Sequence, residues 1–168
     1  MPIPPWALIL SFWLHMLASV VWLGSLAALA LLVLPTTRRS LKPADFASWL
    51  DGLNRRLDPL GWFCLGLLTF TGLVQMEANP SYAGLFAVSN SWALAIFAKH
   101  IVFFGMIGIS AYLTWGLTPG LRRVALRRAK GRDLEADRAI LARFQQLVVV
   151  DLSLGFLVLV FTALARTS

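Results

Sequence analysis

Four long apolar blocks restrict the possible folds of this chain more than any other feature of its sequence. A helix needs about 20 apolar residues to cross a bilayer core of roughly 30 Å, and four stretches meet that length or come close. They run from residue 6 to 34, from about 60 to 76, from 92 to 117 and from about 140 to 165. Backbone groups in lipid must be paired within their own segment, so each block is predicted to be a helix. The expected fold is an all-α integral membrane four-helix bundle that forms a single domain over residues 1–168.

The composition excludes a soluble globular domain. Hydrophobic residues make up 58 % of the chain and charged residues 14 %, against about 45–50 % and about 25 % in soluble proteins. A soluble core of this size cannot cover so much apolar surface. The single cysteine, Cys64, also excludes an internal disulfide and any zinc or iron–sulfur site built from several cysteines.

The positions of Lys and Arg predict how the chain sits in the membrane. All but two of its 15 basic residues lie in or beside the connections between spans one and two and between spans three and four. Residues 77–91 and the amino-terminal tail carry none. By the positive-inside rule, both termini and residues 77–91 face outward from the cell's inner (plasma) membrane. The basic connections are expected to meet anionic lipids of the inner leaflet rather than nucleic acid.

A short amphipathic helix is predicted between spans one and two, over residues 43–58. Its apolar residues recur at helical spacing, while its charged residues fall on other faces. The apolar positions are Phe46, Trp49, Leu50, Leu53 and Leu57. Such a helix either lies in the inner membrane interface or leads into span two.

Ionisable residues inside the spans are the candidates for function, because a charge at the centre of a membrane helix costs about 2.5–3.5 kcal/mol. They are His15 in span one, Lys99 and His100 in span three, and Asp151 in span four. The two histidines lie nine and eight residues inside their spans from the outer side, at similar depths of about 12–13 Å. We expect both imidazoles to converge on one ligand in the outer half of the membrane.

Three interpretations of these residues remain open. Imidazole suits copper and thioethers favour Cu(I), so Met76 at the outer end of span two is a candidate second contact. Alternatively, the histidines hold a b-type haem, with Lys99 pairing with a propionate. In the third, the chain is a non-catalytic scaffold subunit whose polar residues join helices. Asp151, toward the inner leaflet, is expected to act as a proton or cation relay or as a structural hydrogen-bonding group.

All four spans resemble the helices of the copper-resistance protein D family. Lys99 falls where that family has its lysine, and Asp151 falls where it usually has an acidic residue. The similar stretches are WLHMLASVVWLGSLAAL, LNRRLDPLGWFCLGLLTFTGLVQM, WALAIFAKHIVFFGMIGISAYLTW and RFQQLVVVDLSLGFLVLVFTALART. The same pattern is shared with the related HemJ-type protoporphyrinogen oxidases, which bind haem b.

The resemblance implies that His15 is a metal or haem ligand and that Lys99 is its functional partner. His100, next to the family lysine, would suit a second ligand. The leading expectation is a copper-binding, copper-transport or copper-tolerance protein that is not an enzyme. If the chain is an enzyme, the resemblance implies a haem-dependent oxidoreductase. Other membrane or periplasmic proteins are its expected protein partners.

Overall fold

The computed structural model describes residues 3–36, 43–82, 84, 90–130 and 135–167. These residues are almost entirely helical and contain no strand. The α-helices are α1 (Pro5–Ala27), α2 (Pro43–Glu77), α3 (Ser91–Ala111), α4 (Thr118–Ala129) and α5 (Glu135–Thr167). Wider π-helical segments follow α1 at Ala28–Val33 and α3 at Tyr112–Leu117.

The four predicted spans are confirmed as helices long and apolar enough to cross a membrane. They run over Pro5–Thr36, Ser48–Glu77, Ser91–Arg127 and Asp137–Thr167, and we keep the names span one to span four for them. The longest has 37 residues, or about 55 Å at 1.5 Å per residue. Since this exceeds the bilayer core, its arginine-rich end extends beyond the apolar region.

The amphipathic stretch is helical and leads directly into span two. Of the two arrangements left open by the sequence, the structure has the continuous one, because α2 runs unbroken through Pro59. Its apolar face is not free: Phe46 and Leu50 are buried in a cluster with residues of the other spans. On its polar side, Asp51 pairs with Arg55 and Arg122.

The two ends of the bundle differ in charge. We call the end that holds Pro5, Glu77, Ser91 and Thr167 the terminal end, and the opposite end, where α4 carries its arginines, the basic end. The sequence predicts that the basic end faces the cytoplasm. Residues 37–42 and 131–134, on which part of that prediction depends, lie outside the described residues, as do residues 83 and 85–89 of the connection between spans two and three.

Contacts between the spans define two main helix pairs. α1 packs mainly on α2, and α3 packs mainly on α5. The Trp22 and Phe103 rings, with centroids 6.5 Å apart, connect span one to span three, and Trp62 stacks on Trp115 at 4.9 Å. Large apolar side chains are exposed around the outside, as contact with lipid requires; they include Ile9, Val20, Phe63 and Phe70.

At Gly155, span four comes close to spans one and three. A Cβ added there would overlap with Leu23 Cδ2 of span one and lie 3.3 Å from Met106 Cε of span three. Small residues let membrane helices pack closely because lipid provides no hydrophobic force between them. Gly155 therefore brings three spans together in the middle of the bundle.

Candidate functional site

A hydrogen bond to span two fixes which ring nitrogen of His15 carries the proton. Its Nδ1 lies 2.8 Å from Thr71 Oγ1, and Thr71 Oγ1 lies 2.6 Å from the carbonyl oxygen of Leu67. A carbonyl only accepts hydrogen bonds, and a hydroxyl has a single proton. Thr71 therefore donates to Leu67 and accepts from His15 Nδ1–H. In the neutral imidazole this leaves the Nε2 lone pair free to bind a ligand.

Further polar contacts fix the two helices around this pair. Ser11 Oγ donates to the Thr71 carbonyl oxygen at 3.2 Å, and Gln75 Nε2 donates to the Ser11 carbonyl oxygen at 3.2 Å. Gly72 lets the ring lie close, since a Cβ there would be only 3.5 Å from His15 Cε1. Thr71 is 1 % exposed, so this network is shielded from solvent and holds the imidazole in one orientation.

His100 has the same tautomer by a different route. Its Nδ1 lies 2.7 Å from the carbonyl oxygen of Ile96, one turn earlier in α3. Because that carbonyl only accepts, His100 Nδ1 carries a proton, and in the neutral imidazole the Nε2 lone pair is free. Both histidines thus use Nδ1 for a protein hydrogen bond and present Nε2.

The contact between Trp22 and Phe103 sets the relative depth of the two histidines. His15 lies seven residues before Trp22, and His100 lies three residues before Phe103. Since both spans run from the terminal end, this contact and the shared approach of Leu23 and Met106 to Gly155 place His100 two to four residues deeper than His15, or roughly 3–6 Å. Their convergence on one ligand remains a prediction.

Lys99 is the residue of span three that the structure brings into electrostatic range of His15. It is half-buried, and its charge acts on the His15 imidazole. Consecutive residues of a helix point about 100° apart, so His100 faces a different direction from Lys99. A functional partnership between Lys99 and His15 stays a prediction.

Met16, next to His15 in the sequence, is exposed, whereas the buried sulfur-containing side chains of the described residues lie in two places within the bundle. Met76 is buried in the last turn of α2, one residue after Gln75. Met106 is fully buried and shares an apolar cluster with Cys64 in the middle of the bundle. Of the two buried methionines, Met76 is the one closer in sequence to Thr71 and Gln75.

Asp151 lies apart from the histidine network. It is fully buried, and its Oδ2 accepts a hydrogen bond from Ser110 Oγ at 3.0 Å. The guanidinium of Arg143, eight residues earlier on the same helix, lies over the Tyr112 ring at 5.6 Å from its centroid. The structure thus shows the expected structural hydrogen bond, while the relay role stays a prediction.

The described residues limit which ligands the site can hold. Within them, no three His, Cys, Asp or Glu side chains form a group that could hold a metal ion. A metal at His15 would therefore need His100, a thioether or a ligand from outside the chain. One edge of the His15 ring packs against Gly72, and no contact in the described part of the chain supports a haem.

The sequence indicated one of the two polar contacts of the site but not the other. Thr71 and Gln75 share one stripe of span two with Cys64, a pattern typical of an interhelical contact. No sequence signal indicated that Ser110 contacts Asp151, because polar residues on separate helices have no fixed spacing.

Comparison with known families places the chain among membrane proteins linked to copper. A family model described as Copper resistance protein D matches residues 52–165, more than half of the chain. The matched stretch includes Lys99, His100 and Asp151 but not His15. No curated protein and no solved structure matches the chain.

Proposed function

Because the chain belongs to the copper resistance protein D family, we propose that it binds copper within the bilayer and acts in copper transport or tolerance. His15 is the central ligand, in the half of the bundle nearer the terminal end. His100 and Met76 are the candidate additional ligands. Imidazole and thioether donors suit Cu(I), the copper ion that soft ligands select.

The hydrogen bond from His15 to Thr71 is the observation that carries this proposal. Histidines that bind metals almost always donate their other ring N–H to a fixed acceptor, which sets the tautomer and the ring orientation. Thr71 is such an acceptor because its own proton is used by Leu67.

Lys99 supports transport rather than permanent storage. A positive charge near His15 opposes the binding of a cation there. A transport site must bind well enough to load but weakly enough to release. Replacing Lys99 by Gln should therefore raise copper affinity and slow copper release.

Copper affinity of the purified protein tests the proposal. Cu(I) is titrated anaerobically against a chromogenic chelator for the wild type and for His15→Ala, His100→Ala and Met76→Leu, with circular dichroism confirming the helical fold. We expect at least a tenfold loss of affinity in His15→Ala. Equal affinities in His15→Ala and the wild type would refute His15 as a ligand.

A visible spectrum of the same samples separates the remaining interpretations. A reducible Soret band that is lost in His15→Ala would identify a haem protein instead. If the purified protein contains neither copper nor haem in stoichiometric amounts, the scaffold interpretation is the one that remains. In cells, unchanged copper tolerance after removal of both histidines would contradict a part in copper handling.

A further inference from the structure

A second polar region lies away from His15, in a cavity of about 80 Å³. The cavity extends from the middle of the bundle toward the basic end and is lined by residues of all four spans. Its polar lining includes Asn54, Asp58, Ser110, Thr114 and Asp151. Neither the copper proposal nor the family match gives this cavity a role.

Two buried atoms that line the cavity have no hydrogen-bond partner in the protein. They are Asn54 Nδ2, on a side chain 3 % exposed, and Asp151 Oδ1, on a fully buried one. A buried unpaired polar group costs about 1–3 kcal/mol. The first atom can only donate and the second can accept, so water in the cavity would satisfy both.

The cavity has enough room for that water. A site needs about 10–15 Å³ to hold one water molecule and two or more polar partners to keep it. At about 80 Å³, the cavity has space for several. The lining residue Asp58 is only half-buried, so part of its surface remains accessible on the side of the cavity nearer the basic end.

The charge of the lining favours a positive ligand. Asp58 and Asp151 are acidic, and no lining residue is Lys, Arg or His. Span two also contributes the Cys64 thiol, whereas spans one and three contribute only hydroxyl groups and the indole of Trp22 as polar groups. A buried carboxylate without a counter-ion is costly unless it takes up a proton or pairs with a cation.

We propose that this cavity is a hydrated proton-binding site, with Asp151 taking the proton and water linking it to Asn54 and Asp58. The proton comes from bulk water at the basic end, converts the Asp151 carboxylate to a carboxylic acid, and leaves by the same water. Ser110 holds Oδ2 by its hydrogen bond, so Oδ1 is the oxygen that faces the water. This site does not depend on copper binding at His15.

Infrared spectroscopy of the metal-free protein at neutral pH tests the proposal directly. The wild type should show a carboxylic acid C=O band that is missing in Asp151→Asn and shifts within minutes in D₂O. Asp137→Asn is the matched control, because Asp137 is equally buried on the same helix but is paired with Arg127. It should leave that band in place. Absence of the band in the wild type, or a band that does not exchange, overturns the proposal.

A second variant tests the water rather than the carboxyl group. Asn54→Leu removes the unpaired donor and fills part of the cavity, so exchange of the Asp151 band should slow at least tenfold. Asn79→Leu, outside the cavity, should leave the rate unchanged. Equal rates in the two variants would contradict the water link.

Two further variants keep the result interpretable. If Asp151→Asn does not fold, Ser110→Ala identifies the same band. Loss of the hydrogen bond from Ser110 to Asp151 Oδ2 should shift the C=O frequency of the Asp151 band. An unshifted band counts against the assignment. His15→Ala should give the wild-type spectrum and exchange rate. Failure of the copper proposal and failure of this one are therefore separate outcomes.

Discussion

Replacing Thr71 by Val tests the histidine site without touching a proposed ligand. The two side chains have nearly the same shape, so the buried contact between spans one and two should be kept. The change removes the acceptor 2.8 Å from His15 Nδ1. It also removes the hydrogen bond from the Thr71 hydroxyl to the Leu67 carbonyl oxygen. That carbonyl oxygen still accepts the helical hydrogen bond from the backbone N–H of residue 71. The net loss is one interhelical hydrogen bond and the restriction of His15 to one tautomer.

The size of the expected effect follows from that single bond. Interhelical hydrogen bonds in membranes contribute about 0.6 kcal/mol on average and at most about 1.7 kcal/mol, which corresponds to factors of about 3 and about 17. Loss of the group that orients a metal-ligating histidine usually costs 10–100-fold in metal affinity. We therefore expect Thr71→Val to weaken Cu(I) binding by about tenfold or more, with less than about 2 kcal/mol lost from the free energy of unfolding.

Thr69 provides the matched control for this experiment. It lies two residues earlier in α2, is exposed, and its hydroxyl bonds only its own helix at Leu65. Thr69→Val is thus the same chemical change on the same helix, away from His15. Chelator competition should give wild-type affinity for Thr69→Val and weaker binding for Thr71→Val. Equal affinities in the two variants would refute the argument that Thr71 prepares His15 for a metal.

Two other predictions concern packing and orientation. Gly155→Ala forces a methyl group against Leu23, and such overpacking lowers the free energy of unfolding by about 1–3 kcal/mol. Gly105→Ala is the control, because a Cβ there has no neighbour within 4 Å. Denaturant unfolding should show Gly155→Ala to be the less stable by about that amount, and equal stabilities would contradict the close approach. In a chain without its native cysteine, Ser91→Cys should react with an impermeant thiol reagent outside intact cells and Arg122→Cys only after lysis. The reverse pattern would show the opposite orientation.

The amphipathic segment shows where local sequence information ends. Its spacing of apolar residues predicted a helix, and the helix is present. Whether it lay separately at the interface or continued into span two depended on what its apolar face contacts. Burial of Phe46 and Leu50 among residues of other spans decides this, and no local pattern contains that information.

The candidate site shows the same division. His15, Lys99 and Asp151 were identifiable because an ionisable residue in an apolar span is costly wherever it faces. Which residue each of them contacts was not predictable, because the rotation of each helix about its axis is set by its packing partners. Thr71 meets His15 across 56 residues of chain, and Ser110 meets Asp151 across 41.

The sequence alone determined that this chain forms four membrane-spanning helices, since length, apolar composition and backbone hydrogen bonding are properties of each segment. Only the tertiary structure decided that His15 donates to Thr71 and that Asn54 and Asp151 line one cavity. Hydrogen bonds require atoms within about 3 Å and a suitable angle. Such geometry arises only when neighbouring helices pack with a defined relative depth and each with a defined rotation about its own axis.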